Sequence, residues 1–170
     1  MVLATQNPIE QEGVYRLPEA QLDRFLLRVD MGYPKPEREV EMLHLHSSPV
    51  PELESLYNAD TILEIQQRLA EVHGTAALFQ YIVNLAEASR NHPDLALGAS
   101  PRASLCLLRC ARARALLDGR HYFTHEDVQA VAHPVLAHRL IVRPEAEVEG
   151  RKATDVIQEL LDSLPVMETA

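Results

Sequence analysis

Apolar residues recur at helical spacing through the second half of the chain and predict a mainly α fold built as a helical bundle. The positions expected to face its core are Ile62, Ile65, Leu69, Val72, Leu78, Tyr81, Ile82, Leu85, Ala86, Leu105, Cys106, Leu108, Ala111, Leu116, Val128, Val131, Ala132, Val135, Val156, Ile157, Leu160 and Leu161. The expected N-caps are Asp60 or Thr61, Thr75, Ser100 and Thr124, the last in a capping box with Asp127. Pro134 is expected to bend or break its helix near His133.

The start of the chain follows a different pattern, in which two short apolar runs flank a polar loop and a short helix. Met1 to Ala4 and Phe25 to Asp30 predict buried strands. A proline follows Asn7 and favours an extended backbone there, so the first strand ends by presenting an amide side chain. Pro18 is a good first helical residue, and Arg24 falls at the far end of the helix that it opens.

Proline-rich stretches separate these two parts of the chain. They lie at residues 32–37 and 47–54, and each interrupts regular structure. A helix from Pro36 or Glu37 to about residue 46 is predicted between them, with Val40 and Leu43 on its buried side. We therefore expect a two-strand core remnant, a connecting helix with its linker, and a helical domain, at residues 1–34, 35–57 and 58–165.

Composition and charge limit the classes of protein and partner that need to be considered. The chain has 170 residues and is 46% hydrophobic, which is enough to bury a core. Its net charge of −9 argues against nucleic acid or an anionic membrane surface as the main partner. Residues 91–120 are the exception, with five Arg against two Asp. No apolar run approaches the roughly 20 residues that a membrane span needs.

The cysteines and histidines do not predict a metal or catalytic site. Cys106 and Cys110 lie four residues apart in a helical pattern and fit a reduced core better than a disulfide. Two thiolates do not complete the four ligands of a structural zinc site. On a helix, the rings of His44 and His46 would point about 200° apart. We therefore expect no metal bound by side chains of this chain.

The stretch LGASPRASLCLLRCARARALLDG, residues 97–119, contains the candidate anion site. Ser100 is a natural N-cap and Pro101 a natural first helical residue, which places Arg102 in the first turn. A cation there has the wrong sign for the helix dipole, and a bound anion would offset the cost. This predicts a phosphate site at Arg102. Arg109 could extend it, although for Arg109, Arg112 and Arg114 we favour a solvated role.

Two motifs near the start of the chain carry a family resemblance. ATQNPIEQEG followed by LPEAQLDRFLLR closely resembles the sensor 1 and arginine-finger region of MoxR-type AAA+ ATPases. The resemblance implies an α/β P-loop NTPase core, followed by a helical lid in which SPR contains the sensor 2 arginine, Arg102, and HRL at residues 138–140 packs against neighbours. It also implies that Asn7 orients the water attacking the γ-phosphate and that Arg24 reaches the nucleotide site of a neighbouring subunit.

General chemistry agrees with these roles, because phosphoryl transfer is catalysed mainly by positioning and charge stabilisation. The plainer reading is that Asn7 caps a strand while Arg24 pairs with Asp23 or Asp30 on the surface. The run of matching residues around both favours the functional reading.

The chain contains no phosphate loop. A Walker A motif needs Gly-Lys followed by Ser or Thr, and neither Lys35 nor Lys152 follows a glycine. The chain also lacks an apolar strand ending in the paired acids of a Walker B segment. We expect it to be the C-terminal part of an ATPase, through truncation or a reading frame begun at an internal Met. Alone, it should not hydrolyse ATP.

Two functions remain open. By resemblance, the parent protein couples hydrolysis of ATP, with Mg²⁺, to chaperone-like remodelling or maturation of protein complexes. It would be cytoplasmic, form a hexameric ring, and work with von Willebrand factor A domain proteins. The alternative is a non-catalytic helical protein-interaction module. An in-frame glycine-rich Lys-Ser/Thr loop encoded upstream of Met1 would favour the ATPase.

Overall fold

The computed structural model describes residues 2–6, 18–46 and 53–165. Within them the helices are α1 (Glu19–Leu22), α2 (Pro36–His46), α3 (Ala59–Arg68), α4 (Ala76–Arg90), α5 (Pro101–Leu117), α6 (His125–Leu136), α7 (Pro144–Val148) and α8 (Ala153–Ser163). A 3₁₀ turn at Leu69–Glu71 follows α3, and the short strands β1 (Leu95–Leu97) and β2 (Ile141–Val142) pair antiparallel. The predicted mainly α fold is confirmed.

The core lies where α5 packs between α4 and α6, with α8 closing against α4 and α6. Its largest fully buried apolar side chains are Phe123, Leu85, Leu107, Leu136, Ile157, Val72, Val128, Val135 and Val156. The predicted face of α8 is buried as expected, whereas α4 and α6 bury their predicted faces except for the partly buried Leu78 and Val131.

The predicted face of α5 was partly wrong. Leu105 is 57% exposed, whereas Leu107 is fully buried. The buried positions are Ala103, Cys106, Leu107, Cys110, Ala111 and Ala115, a helical stripe that leaves Leu105 outside it. Several of these residues are small, and they allow close packing of α5 against its neighbours. Leu108 and Leu116 lie at the edge of the core.

Local capping chemistry was largely predictable. Thr75 and Ser100 accept hydrogen bonds from the amides of Leu78 and Ala103, and Thr124 forms the expected capping box with Asp127. The exception is α3, where the Asn58 side chain accepts from the amide of Thr61 at 2.8 Å. Asn58 is therefore the N-cap in place of Asp60 or Thr61.

Pro134 does not break α6, which continues to Leu136, so the predicted break near His133 was wrong and the predicted bend stays a prediction. Proline inside a helix costs about 3 kcal/mol or more. Val135 and Leu136 are both completely buried, and burying such side chains gains about 1.5 to 3 kcal/mol each. The helix also ends two residues after Pro134, so few backbone hydrogen bonds are at stake.

The strands were misplaced by the sequence pattern. Residues 2–6 and 25–30 have no strand structure, and Val2, Leu3, Leu26 and Val29 are exposed rather than buried. A strand needs a hydrogen-bonded neighbour, and neither segment has a strand partner among the described residues. The observed strands β1 and β2 lie within the helical domain.

The helices that precede the bundle bury less than expected. Helix α2 has the predicted bounds, but Val40 and Leu43 are exposed, and none of its residues is buried. In α3, Ile62 and Ile65 are also exposed, although Val72 beyond it reaches the core. The apolar faces of both helices are formed as predicted but remain largely exposed. Among the described helices, none combines the length and apolarity needed to cross a membrane.

Candidate functional site

The start of α5 is fixed against the end of α4. Ser89 is fully buried, and its hydroxyl accepts a hydrogen bond from the amide of Ala99 at 2.9 Å. Arg90 donates from Nε to the carbonyl of Ala99 at 2.8 Å. A Cβ at Gly98 would come within 2.5 Å of the Arg90 Cα, so only glycine fits here without a shift of backbone. These contacts set where Ser100 and the first turn of α5 lie.

A carboxylate lies at the N-terminus of α5, where the sequence predicted an anion. Ser100 donates from Oγ to Asp23 Oδ1 at 3.0 Å. Arg102 is half-exposed, with its Nε 3.9 Å from Asp23 Oδ2. Asp23 therefore supplies the negative charge that offsets Arg102 in the first turn of the helix. At 3.9 Å the ion pair is weak, and the Arg102 guanidinium keeps donors available for another anion.

Arg139 is the main polar contact between the bundle and the segment of residues 18–30. Its side chain is only 1% exposed, and its Nε lies 3.1 Å from Asp23 Oδ1. It also donates to the carbonyls of Asp23 at 3.2 Å, Leu26 at 3.3 Å, and Phe25. Another donor reaches the carbonyl of Val135 in the last turn of α6. A buried guanidinium thus binds both a carboxylate and several backbone carbonyls.

Arg24 differs from the arginines around it. It follows α1, and its backbone amide donates to the carbonyl of Gln21 at 3.1 Å. Its side chain is exposed and makes no hydrogen bond or ion pair with any other described residue. The alternative prediction, that Arg24 pairs with Asp23 or Asp30, was wrong. Asp23 binds Arg139, and Asp30 binds Arg28 at 3.1 Å. The structure brings the Arg24 backbone close to the Arg102 helix through Asp23. Asn7 lies outside the described residues.

Arg114 of α5 does not extend the candidate site, because it pairs with a carboxylate on another helix. Arg114 lies 3.3 Å from the buried carboxylate of Asp127, and Arg120 contacts the same carboxylate with two hydrogen bonds of 2.7 Å. Burial acts to raise the pKa of Asp127, but hydrogen bonds from Arg120 and Thr124 outweigh it and hold the pKa below its ordinary value. Arg114 therefore has a structural role.

Titratable groups in the interior also surround the Arg139 contact. Cys106 Sγ lies 3.4 Å from an Arg139 nitrogen, and Cys106 and Cys110 are both buried free thiols. Burial raises the pKa of Cys110 to about 11. His138 Nε2 lies 3.4 Å from the carbonyl of Phe25, and burial followed by the charge of Arg139 lowers the His138 pKa. Cys110 and His138 are therefore held neutral near the buried Arg139 cation.

Sequence reasoning missed the roles of Asp23 and Arg139. Asp23 was considered only as a partner of Arg24, and Arg139 only as part of HRL packing against neighbours. The sequence did contain one signal for this contact, because Asp23 and Arg139 each lie among apolar residues. Buried charges are normally paired, so each could have been expected to need a charged partner. Their separation of 116 residues hides the contact from any local pattern.

Two family models match the chain in this region. Residues 87–160 match the AAA lid domain, and residues 1–27 match the ATPase family associated with various cellular activities, or AAA. The first match falls on the helical bundle and the second includes Arg24. Together the two matches place the chain in the AAA+ class.

Similar proteins from other organisms indicate which group of AAA+ proteins the chain resembles. The chain is 40% identical to the uncharacterized protein YeaC of Bacillus subtilis, over 97% of the chain and 52% of that protein. It is 39% identical to chaperone MoxR1 of Mycobacterium tuberculosis, over 96% of the chain and 46% of that protein. It is 30% identical to protein MoxR of Methylorubrum extorquens, over 96% of the chain and 54% of that protein. The chain thus spans about half the length of the curated relatives it matches.

A solved structure supports the same grouping. A crystal structure from Cytophaga hutchinsonii, assigned as an ATPase, superposes with a TM-score of 0.90 at 33% identity. The match covers 96% of the present chain and 53% of that chain. The chain belongs to the MoxR-type AAA+ ATPases.

Proposed function

We propose that the chain is the sensor and arginine-finger part of a MoxR-like ATPase that couples ATP binding and hydrolysis to chaperone-like remodelling or maturation of protein complexes. Family membership supports the chemistry, and the placement of Arg24 and Arg102 supports the roles of residues. In this proposal Asn7 orients the attacking water, Arg24 acts on the site of a neighbouring subunit, and Arg102 binds the γ-phosphate. ATP, with Mg²⁺, supplies the transferable phosphoryl group.

The described residues are better suited to binding the phosphate groups of ATP than to binding Mg²⁺. Arg24 and Arg102 offer exposed guanidinium donors, which suit phosphate oxygens. No cluster of three or more potential metal ligands occurs within residues 2–6, 18–46 and 53–165. We therefore assign phosphate contacts to this part of the chain. A chain of these 170 residues alone, without a Walker A sequence, is expected not to turn over ATP.

The observation that carries the proposal is the exposed, unpaired guanidinium of Arg24 beside a fixed backbone. Arg28, Arg114, Arg120, Arg139 and Arg151 all have carboxylate partners within the described structure. An arginine finger has to remain available to an anion on another subunit, so an internal partner would compete with that role.

Hydrolysis by the intact ATPase, with these residues joined to a phosphate loop, tests the assignment. Arg24→Ala should lower kcat on the order of 10³-fold or more, while nucleotide affinity is retained. Arg38→Ala is the matched control, because Arg38 is an exposed arginine that pairs with Glu41. Loss of nucleotide binding, or unchanged turnover, in Arg24→Ala would contradict the finger role. Unchanged turnover in Arg102→Ala as well would favour the interaction-module alternative.

Mixed rings test whether Arg24 acts between subunits. Arg24→Ala subunits should recover turnover when mixed with subunits whose phosphate-loop lysine is replaced, because each variant retains what the other lacks. Failure to recover would contradict action in trans. The same mixture made with Arg102→Ala determines whether Arg102 serves its own subunit or a neighbour.

We further propose a hexameric ring in the cytoplasm, with von Willebrand factor A domain proteins as partners. Family membership is the support for these assignments. Native mass spectrometry of the intact ATPase with ATP should show six copies, and a different dominant stoichiometry would contradict the ring. Co-purification with a von Willebrand factor A domain protein encoded nearby tests the partner class.

A further inference from the structure

We infer that Arg139 and Asp23 are positioning residues for Arg24, an inference that rests on the proposed finger role. The Arg139 clamp consists of the Arg139 guanidinium and its acceptors on Asp23, Phe25 and Leu26. Through it, the lid sets where the finger backbone lies. Because the Arg139 side chain is only 1% exposed, we assign it a positioning role and no contact with nucleotide.

The clamp acts on both sides of Arg24. Arg139 donates to the carbonyl of Asp23, immediately before Arg24, and to the carbonyl of Phe25, immediately after it. A third bond, of 3.3 Å, reaches the carbonyl of Leu26. The backbone that carries Arg24 is thus held on both sides, while its side chain remains exposed.

Asp23 gives the clamp its charge balance. A buried guanidinium is stable only when its charge and donors are satisfied. The Asp23 carboxylate does this at 3.1 Å, and it also accepts from Ser100 at the start of α5. Asp23 therefore links the finger backbone to the helix that carries Arg102.

The end of α6 supplies a second anchor. The last carbonyls of a helix have no intrahelical partner. The amide of Arg28 donates to the carbonyl of Pro134 at 2.8 Å, and Arg139 donates to the carbonyl of Val135. Residues 23–28 are thus fastened to the C-terminus of α6, and movement of the lid must carry the finger backbone with it.

The geometry requires arginine at position 139. A guanidinium has five donors in one plane and can bind several carbonyls and a carboxylate together. A lysine keeps the charge but offers one compact ammonium group, which cannot reach the same set of acceptors. Arg139→Lys therefore tests positioning while the buried charge is kept.

Amide hydrogen exchange on the 170-residue chain tests the clamp without reference to ATP. The Arg28 amide is the reporter, since its hydrogen bond to Pro134 joins the two parts. Arg139→Lys should speed its exchange by at least about tenfold, while amides in the middle of α5 stay protected. The matched control is Arg143→Lys, an exposed arginine four residues on. Unchanged Arg28 exchange would overturn the inference.

Asp23→Asn provides a second variant in case Arg139→Lys does not fold. The substitution keeps the side-chain shape but removes the charge that balances Arg139. It should also speed exchange at Arg28, by a smaller factor than Arg139→Lys. Full protection in Asp23→Asn would overturn the role assigned to Asp23.

Mixed rings of the intact ATPase connect the clamp to the finger. Arg139→Lys subunits should lose turnover but recover it when mixed with subunits lacking the phosphate-loop lysine, because those donate an intact finger. The latter subunits should fail to rescue Arg24→Ala once they also carry Arg139→Lys. A defect confined to the Arg139→Lys subunit's own nucleotide site would give no recovery and would overturn the inference. Failure of Arg24→Ala itself to be rescued would instead overturn the trans finger role, leaving the exchange result as a separate measure of the clamp.

Discussion

The helical bundle and the segment of residues 18–30 are held in place by different forces. In the bundle, side chains such as Leu85, Leu107 and Phe123 are almost completely buried. In the 18–30 segment no residue is buried to that degree, and the contacts to the bundle are mainly hydrogen bonds from Arg139. Hydrophobic burial therefore folds the lid, whereas directional polar contacts place the segment on it.

Because of this difference, buried side chains set the stability of the lid, whereas hydrogen bonds set the position of the 18–30 segment. Truncating a buried leucine costs about 2 to 5 kcal/mol, whereas a typical hydrogen bond contributes a net 0.5 to 1.5 kcal/mol. The 18–30 segment should therefore open at lower free energy than the lid, as regions that move in function commonly do. The segment can be displaced while the lid stays folded.

The largest expected effect is in the bundle. Leu107→Ala should lower the free energy of unfolding by about 2 to 5 kcal/mol, because Leu107 is fully buried. Leu105→Ala, on the same helix but exposed, should change it by no more than about 0.5 kcal/mol. Urea denaturation followed by circular dichroism measures both. Similar losses in the two variants would contradict the observed face of α5.

An intermediate effect is expected at Asp127. Asp127→Asn should cost about 1 to 3 kcal/mol at neutral pH, because it weakens the buried contacts to Arg120 and Thr124. Asp118→Asn is the control, since Asp118 contacts the same Arg120 at the surface and should cost at most about 1 kcal/mol.

The pH dependence identifies the Asp127 charge. The lowered pKa of Asp127 means that its stabilisation is present above the ordinary value of 3.8 and is lost as pH falls through the lower folded value. The difference between the wild type and Asp127→Asn should therefore shrink in strong acid. Denaturation curves between neutral pH and strong acid measure it, and a constant difference would exclude ionic stabilisation.

The smallest expected effect concerns the docked segment. His138 is neutral when Phe25 is docked on it, because burial and the charge of Arg139 lower its pKa below 6.5. Arg28 lowers the His138 pKa further, whereas the Phe25 carbonyl and Asp23 act to raise it. Opening takes up a proton, so docking is strongest above 6.5 and weakens as pH falls toward the folded value.

Exchange at the Arg28 amide measures this dependence. After correction for intrinsic exchange, protection should fall by at most about tenfold per pH unit, the limit for one proton. His138→Gln should remove the dependence over this range. Protection that rises on acidification, or an unchanged dependence in His138→Gln, would contradict the assignment.

Sequence pattern predicted the parts of the fold that depend on neighbours along the chain. Thr75, Ser100 and Thr124 cap their helices as expected, since a cap acts on an amide three residues away. The face of α5 was less predictable, because apolar residues occur on several sides of LCLLRCARARALL and the period is ambiguous. Strands β1 and β2 are too short to show a period.

Only part of the candidate site could be predicted from the sequence. Arg24 and Arg102 were selected by resemblance and capping chemistry, and their assigned roles remain predictions, as does that of Asn7. The contact of Arg139 with Asp23 could not be predicted, because it depends on where the end of α6 meets the 18–30 segment in space. Long-range polar contacts follow from the packing of the whole chain.

The close approach at Gly98 makes one backbone position a determinant of the proposed phosphate-binding geometry. Any side chain there would force the Arg90 backbone and the loop before Ser100 apart, and the first turn of α5 would shift with them. A mutational screen for lost hydrolysis would then recover position 98 together with Arg102, although glycine has no group to offer a ligand. Tolerance to substitution at this position would thus report main-chain spacing and carry no information about chemical contact.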